Sequence, residues 1–174
     1  MGFPAGQQAP FPVEIGREWL IAIAHRSSYP NAKRSMISNP RPASSAILER
    51  NGRFLLVLRS NPPSADMYAF PGGRAEEGET PADAALREFK EETGISARNP
   101  RLFETYDLRS HAADGTLTSH FLLSVFLVDA DEDAVAEAAD DAAAIGWYTL
   151  EEVRTLPVPA SVLECVERLA AENA

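Results

Sequence analysis

A chain of 174 residues with 45% apolar and 24% charged side chains is long enough for one domain with a sizeable core and short for two. Its formal net charge of -10 argues against nucleic acid as a partner, because phosphate backbones are held by clustered cations. A single cysteine, Cys165, allows no intramolecular disulfide and fits a reducing cytoplasm; no apolar run reaches the roughly 20 residues of a membrane span, so no membrane partner is expected.

Residues 1–41 read as a proline-rich, basic N-terminal extension. Arg17, Arg26, Lys33, Arg34 and Arg41 outweigh Glu14 and Glu18 there, a net of +3, which leaves -13 for the rest of a chain whose total is -10. One short helix is expected across Val13–His25. Its apolar run, Trp19–Ala24, is short and follows two glutamates, unlike a secretory signal. Met36 admits a second reading, a natural start with the preceding residues no part of the protein, and the sequence leaves both open.

From Pro42 to Ala174 the pattern is that of one folded domain. "SSAILE" and "RFLLVLR" are short apolar runs separated by Asn51-Gly52, a strong hairpin signal because both residues tolerate positive φ. Pro62-Pro63 imposes a loop, and "MYAF" reads as a short strand before Pro71-Gly72-Gly73. A helix is then predicted over Pro81–Thr93, with Thr80 as N-cap, Pro81 at the first helical position, Asp83 completing a capping box and Gly94 as a left-handed stop. Beyond Pro100, "LFETYDL" and "TLTSHFLLSVFLV" read as two strands joined through Asp114-Gly115. "DEDAVAEAADDAAA" reads as a loop or frayed helix and "IGWYTL" as a strand. Thr149 caps a helical turn, "LEEV", and the C-terminal segment forms an amphipathic helix carrying Cys165 on its buried side. Strands and helices alternate without a regular βαβ rhythm, so a mixed sheet with helices on both faces is expected.

The Pro81–Thr93 helix poses an electrostatic problem. Ala82, Leu86 and Phe89 form its core-facing stripe, and Glu88, Glu91 and Glu92 cluster on a face read as roughly opposite, with Arg87 beside Glu91. Like charges at these spacings cost about 0.2–0.5 kcal/mol a pair, and the macrodipole disfavours anions near a helix C-terminus. A solvated acidic face is the plain reading. A site for a hard divalent cation such as Mg²⁺ is the functional one, since such ions take oxygen ligands and are shared with substrate phosphates. Gly72-Gly73, which lets backbone approach closely and offers a carbonyl, and Glu79, placed to pair with Arg87, favour the second.

Gly73, five residues, Glu79, seven residues, then "REFKEETGI" resembles the Nudix box, GX5EX7REUXEEXGU, in which U is a bulky aliphatic residue. Gly73, Glu79, Arg87, Glu88, Glu91, Glu92 and Gly94 fill its fixed positions and Ile95 its last U; Phe89 departs from the first U in being aromatic. Looser similarity, in "FLLVLR", "FPGG" and "DDAAAIGWYTLEEV", extends over about Pro42–Glu167. The resemblance implies an α/β fold, an α/β/α sandwich around a mixed sheet, and hydrolysis of a nucleoside diphosphate linked to another moiety with Mg²⁺ or Mn²⁺. It implies Gly73, Glu88, Glu91 and Glu92 as metal ligands, with Glu79 and Arg87 orienting them.

In such a reaction water attacks a phosphorus of the P–O–P bridge and a carboxylate accepts its proton. Glu88, Glu91, Asp141 and Asp140 are candidates for that role, and Glu137 a weaker one. Arg59 is a candidate for a substrate phosphate; Tyr68, Phe70, Phe103 and Tyr106 are candidates to stack on a base, and each has a core reading beside it. His120 is a candidate cleft residue or a packed one, whereas His25 and His111 read as surface residues. ADP-ribose or a related nucleotide sugar is the favoured substrate, from the likeness of "DDAAAIGWYTLEEV" to ADP-ribose-type members. An oxidised nucleoside triphosphate such as 8-oxo-dGTP, or a non-catalytic nucleotide sensor, are the alternatives. The intact box argues against the sensor, and the resemblance leaves a homodimer open.

Overall fold

The computed structural model describes residues 39–60, 65–138 and 142–172. The predicted Val13–His25 helix, the N-terminal extension up to residue 38, Asp140 and Asp141 lie outside the described residues.

The described residues build two sheets. In the first, strands β1 (Arg41–Ile47), β5 (Gly72–Arg74), β6 (Arg98–His111) and β7 (Leu117–Asp129) lie in the order β5-β1-β7-β6. β1 runs parallel to β7, and the β1–β5 and β6–β7 pairs are antiparallel, so the sheet is mixed. In the second, β3 (Arg53–Arg59) pairs antiparallel with β2 (Glu49–Arg50), β4 (Tyr68–Ala69) and β8 (Ala142–Thr149).

Asn51 (φ 52°) and Gly52 (φ 74°) turn the chain between β2 and β3 as predicted. The hairpin is only two residue pairs deep, Arg50 with Arg53 and Glu49 with Phe54. The expected partner "SSAILE" leaves it: residues 44–47 belong to β1, in the other sheet. Burial gives the reason. Ile47 enters one core while Ala46 and Leu48 enter another, so this segment needs cover on both faces, which one hairpin cannot supply.

The same alternation runs through the other central strands. Phe54 and Leu56 of β3 and Val125 of β7 pack with Val162, Cys165, Val166 and Leu169 of helix α3 (Ala160–Glu172) and Val153 of the short helix α2 (Leu150–Val153). Leu55 of β3 and Phe126 and Val128 of β7 pack on the other side with Ala85 and Phe89 of helix α1 (Pro81–Thr93) and with Ile95. Both faces of the strand layer are therefore covered by helices: an α/β/α sandwich. The segment 130–138 is coil rather than helix, and β8 begins three residues before the predicted "IGWYTL". Thr149 caps α2 with a complete capping box, its hydroxyl accepting from the Glu152 N–H and the Glu152 carboxylate accepting from the Thr149 N–H. Among the described residues no helix is long and apolar enough to cross a membrane.

Candidate active site

Helix α1 begins and ends where its local chemistry directs. The Thr80 hydroxyl accepts from the Asp83 N–H at 3.2 Å, and Pro81 occupies the first turn. The Asp83 carboxylate, expected on the Thr80 backbone, instead accepts from the Thr80 hydroxyl at 2.6 Å. Gly94 (φ 72°) ends the helix by donating its N–H to the Lys90 carbonyl.

The three glutamates of this helix do not share one face. Phe89 is fully buried, and Glu92 lies only about 60° from it on a helix that turns roughly 100° per residue. Glu92 is accordingly 4% exposed, Glu88 half-buried and Glu91 exposed. The expectation of a single acidic face opposite the core holds for Glu91 and fails for Glu92.

Each carboxylate is held by a specific partner. Arg87 Nε and Nη2 donate to the two oxygens of Glu79, both at 2.9 Å, so the loop carboxylate is locked onto the helix as expected. Arg87 Nη1 donates to Glu88 Oε1 at 3.0 Å and Glu91 Oε2 at 2.9 Å, and Nη2 also donates to the Arg74 carbonyl at 3.0 Å. One guanidinium thus spans three carboxylates and the strand β5, a use of its planar fork that a lysine could not reproduce. The Arg87 guanidinium, with the Glu76 N–H, holds the Glu79 carboxyl below the usual carboxylate range. Burial pushes Glu88 the other way, against the pull of Arg87.

Glu92 faces inward onto Gly72 of β5. Its Oε2 accepts from the Gly72 N–H at 3.1 Å, and its Oε1 lies 3.9 Å from Arg59 Nη1. Arg59, a candidate for substrate phosphate, donates from Nη1 to the Gly72 carbonyl at 3.1 Å, so the peptide of Gly72 is held from both ends. Gly73 lies against Glu88: a Cβ there would fall 2.6 Å from Glu88 Oε2, so a larger residue would displace the Glu88 carboxylate from this position. Ser44 pairs in register with Gly73, and its Oγ is buried without a hydrogen-bond partner among the described residues. The sequence does not reveal Ser44, because its neighbour is set by strand pairing.

Among the described residues no three His, Cys, Asp or Glu side chains converge on one metal-sized point. Glu88 and Glu91 turn to Arg87, and Glu92 turns to Gly72. The donor set is nonetheless all oxygen, gathered on one helix and beside the two glycines of β5.

The remaining sequence candidates scatter. Tyr68 packs against the α3-side core with its ring edge-on to Tyr148 at 5.3 Å, and Phe70 is buried in that core. Phe103 packs against the same core beneath the Arg168 guanidinium, and the Tyr106 hydroxyl meets Cys165 Sγ at 3.4 Å. Of the proposed base-stacking rings, Phe70 in particular is therefore core. His120 is buried on β7 with Nε2 2.9 Å from Asp107 Oδ1, and Asp107 is also gripped by Arg109. His111 is exposed. Glu137 is exposed, and its backbone N–H donates to the carbonyl of Thr93, tying the loop after β7 to the C-terminal end of α1.

Comparison with known proteins identifies the family. The NUDIX domain model matches residues 39–169. An ADP-ribose pyrophosphatase of Methanocaldococcus jannaschii is 32% identical over 118 residues, 68% of this chain and 67% of that protein. The structure of a MutT NUDIX hydrolase from Burkholderia pseudomallei superposes with a TM-score of 0.66 at 28% identity, covering 76% of this chain and 99% of that one. A bifunctional NMN adenylyltransferase/ADP ribose pyrophosphatase from Francisella tularensis, complexed with AMP and a manganese ion, shares the fold at a TM-score of 0.59 and 24% identity, covering 81% of this chain and 44% of that one. With the family model spanning residues 39–169, the chain belongs to the NUDIX domain family and is a Nudix hydrolase.

Proposed function

We propose that the chain cleaves the pyrophosphate linkage of a nucleoside diphosphate joined to another moiety, with ADP-ribose or a related nucleotide sugar as the substrate and Mg²⁺ or Mn²⁺ as the cofactor. The observation that carries the reaction is the arrangement of Glu79, Arg87, Glu88 and Glu91 in one hydrogen-bonded unit beside Gly73. The substrate reading draws support from the 32% identical relative named as an ADP-ribose pyrophosphatase. The cofactor reading draws support from the manganese ion in the Francisella tularensis structure.

The residues fit a hard cation. Glu88, Glu91, Glu92 and the Gly73 carbonyl offer only oxygen donors, the set such ions prefer, and the glycine cradle at Gly73 keeps the Glu88 carboxylate close to the backbone. When bound, a divalent cation supplies neutralisation of the diphosphate and of the charge that develops on it. Arg87 and Glu79 hold the helix and loop at fixed separation. Glu88 or Glu91, or Asp141 just ahead of β8 in the sequence, takes the proton of the attacking water. Arg59 positions the Gly72 peptide through its carbonyl and borders Glu92.

The test is turnover by the purified chain with Mg²⁺ on ADP-ribose, NADH, diadenosine polyphosphates and 8-oxo-dGTP, with products identified. AMP and ribose 5-phosphate from ADP-ribose are expected. Preferential release of 8-oxo-dGMP would move the assignment to triphosphate sanitation, and nucleotide binding without turnover of any substrate would move it to sensing. Glu92→Gln keeps a hydrogen-bond acceptor for the Gly72 N–H, so the fold is expected to survive while activity falls about 10–100-fold. Full activity in that variant would sink the ligand assignment.

A further inference from the structure

In a chain of net charge -10, a guanidinium without a carboxylate is the exception. Eight of the eleven described arginines, from Arg53 to Arg168, make ion pairs. Arg50 makes none but donates to the carbonyls of Asp131 and Ala134 and lies over Trp147. That leaves Arg41 and Arg74, and among the described residues neither has a carboxylate within ion-pair reach. Both are exposed, and both converge on one ring: their guanidinium carbons lie 4.6 and 5.7 Å from the centroid of Phe121.

Strand register explains the convergence. Arg41 is directly opposite Phe121 across the parallel β1–β7 pair, and Arg74 is opposite Ala43, two residues along β1 from Arg41. Side chains two residues apart on a strand share a face, so all three stand on the same side of the sheet. Two like charges gathered on one ring repel each other, and an anion bound between them would relieve that repulsion. Their place relative to the box is the second consideration. Arg74 directly follows Gly73, and its carbonyl is the one that Arg87 holds. Gly73 faces Glu88 on the α1 side, Arg74 faces the other side, and β5 is the edge strand between them.

We propose that Arg41 and Arg74, seated on Phe121, form a phosphate-binding subsite for the nucleoside-diphosphate substrate as it wraps the β5 edge beside the box. This rests on the reading of the chain as a nucleoside-diphosphate hydrolase. Arg41 and Arg74 bind and orient; they take no part in the proton transfers. Phe121 fixes the two guanidinium planes, and their forks supply paired donors to non-bridging oxygens.

The decisive measurement is calorimetric titration of the full chain with ADP in EDTA, so that no cation contributes to binding. The R41Q/R74Q double variant is expected to raise Kd about tenfold or more, and to flatten the dependence of log Kd on log salt. R98Q, which removes an exposed arginine already paired with Asp131, serves as the charge control and is expected to bind as the parent does. A change in the double variant below about threefold, an equal change in R98Q, or no metal-free binding of ADP by the parent would each overturn the subsite. ADP binding lost in R41Q/R74Q from a chain that hydrolyses nothing would sink the hydrolytic reading and leave the subsite standing. Hydrolysis of ADP-ribose with unaltered ADP binding in the variant would do the reverse.

Discussion

Arg87 resolves the electrostatic problem that three glutamates pose to helix α1. Its fork meets Glu79, Glu88 and Glu91 at once, while Glu92 turns away to accept from the Gly72 N–H. The Glu79 pair is the strongest of these contacts by geometry, bidentate and with side chains only 24% and 14% exposed. Glu79→Gln removes the charge but not the shape, so it is expected to cost about 1–2 kcal/mol, read as a fall in Tm of about 2–8 °C. An unchanged Tm would mean that the loop is held by its backbone alone. At this scale the box positions were legible from spacing. What spacing left out was Glu92's inward turn and Ser44's place opposite Gly73, since the first depends on where the core lies and the second on which strand pairs with β5.

The elements that end in strong local signals stand where they were expected. Thr80 and Gly94 bracket α1 at Pro81–Thr93, and Thr149 starts α2 with a capping box. These signals act within a few residues, so no distant contact is needed to place them. The junction of β6 with α3 is the opposite case. Glu104 Oε2 accepts from Arg168 Nη1 at 2.7 Å, joining residues far apart in the chain. The Thr105 N–H and then Arg168 hold the Glu104 carboxyl below its ordinary 4.5. The folded value lies below the unfolded one, so the unfolded chain binds more protons in this range. The contribution is fully present above the unfolded value and is lost as pH falls through the folded one. Glu104→Gln is therefore expected to lower Tm near about pH 7, with the difference from the parent shrinking steadily as pH falls through the acid range. Parallel Tm curves across that range would remove Glu104 from the acid response. The effect is small, because both side chains are more than a third exposed.

Across the whole molecule, the two cores on either side of the strand layer close around side chains that have no other route to water. Cys165 is the natural reporter of that closure. It is fully buried among Phe54, Leu56, Val125 and Val166, and burial pushes its thiol above the usual range. A thiol reagent is expected to label Cys165 only through opening of the α3-side core, so its rate should climb with urea in step with unfolding. Rapid labelling of the native chain would show that α3 detaches independently. The amphipathic period of α3 was visible in the sequence, but the contact of the Tyr106 hydroxyl with Cys165 was not, for it joins strand β6 to a helix some 59 residues on.

Two kinds of information separate here. Caps, turns, amphipathic periods and the spacing of the box are properties of contiguous residues, and the sequence by itself determined the helix α1, the Asn51-Gly52 turn, the sandwich class and the family. Only the tertiary structure decided that residues 44–47 leave the hairpin for a place parallel to β7, that Phe70 belongs to the core, and that Arg41 meets Arg74 over Phe121. The physical reason is the same in each case. Partner choice between strands depends on burying both faces of a layer at once, and that condition links residues that no local pattern connects.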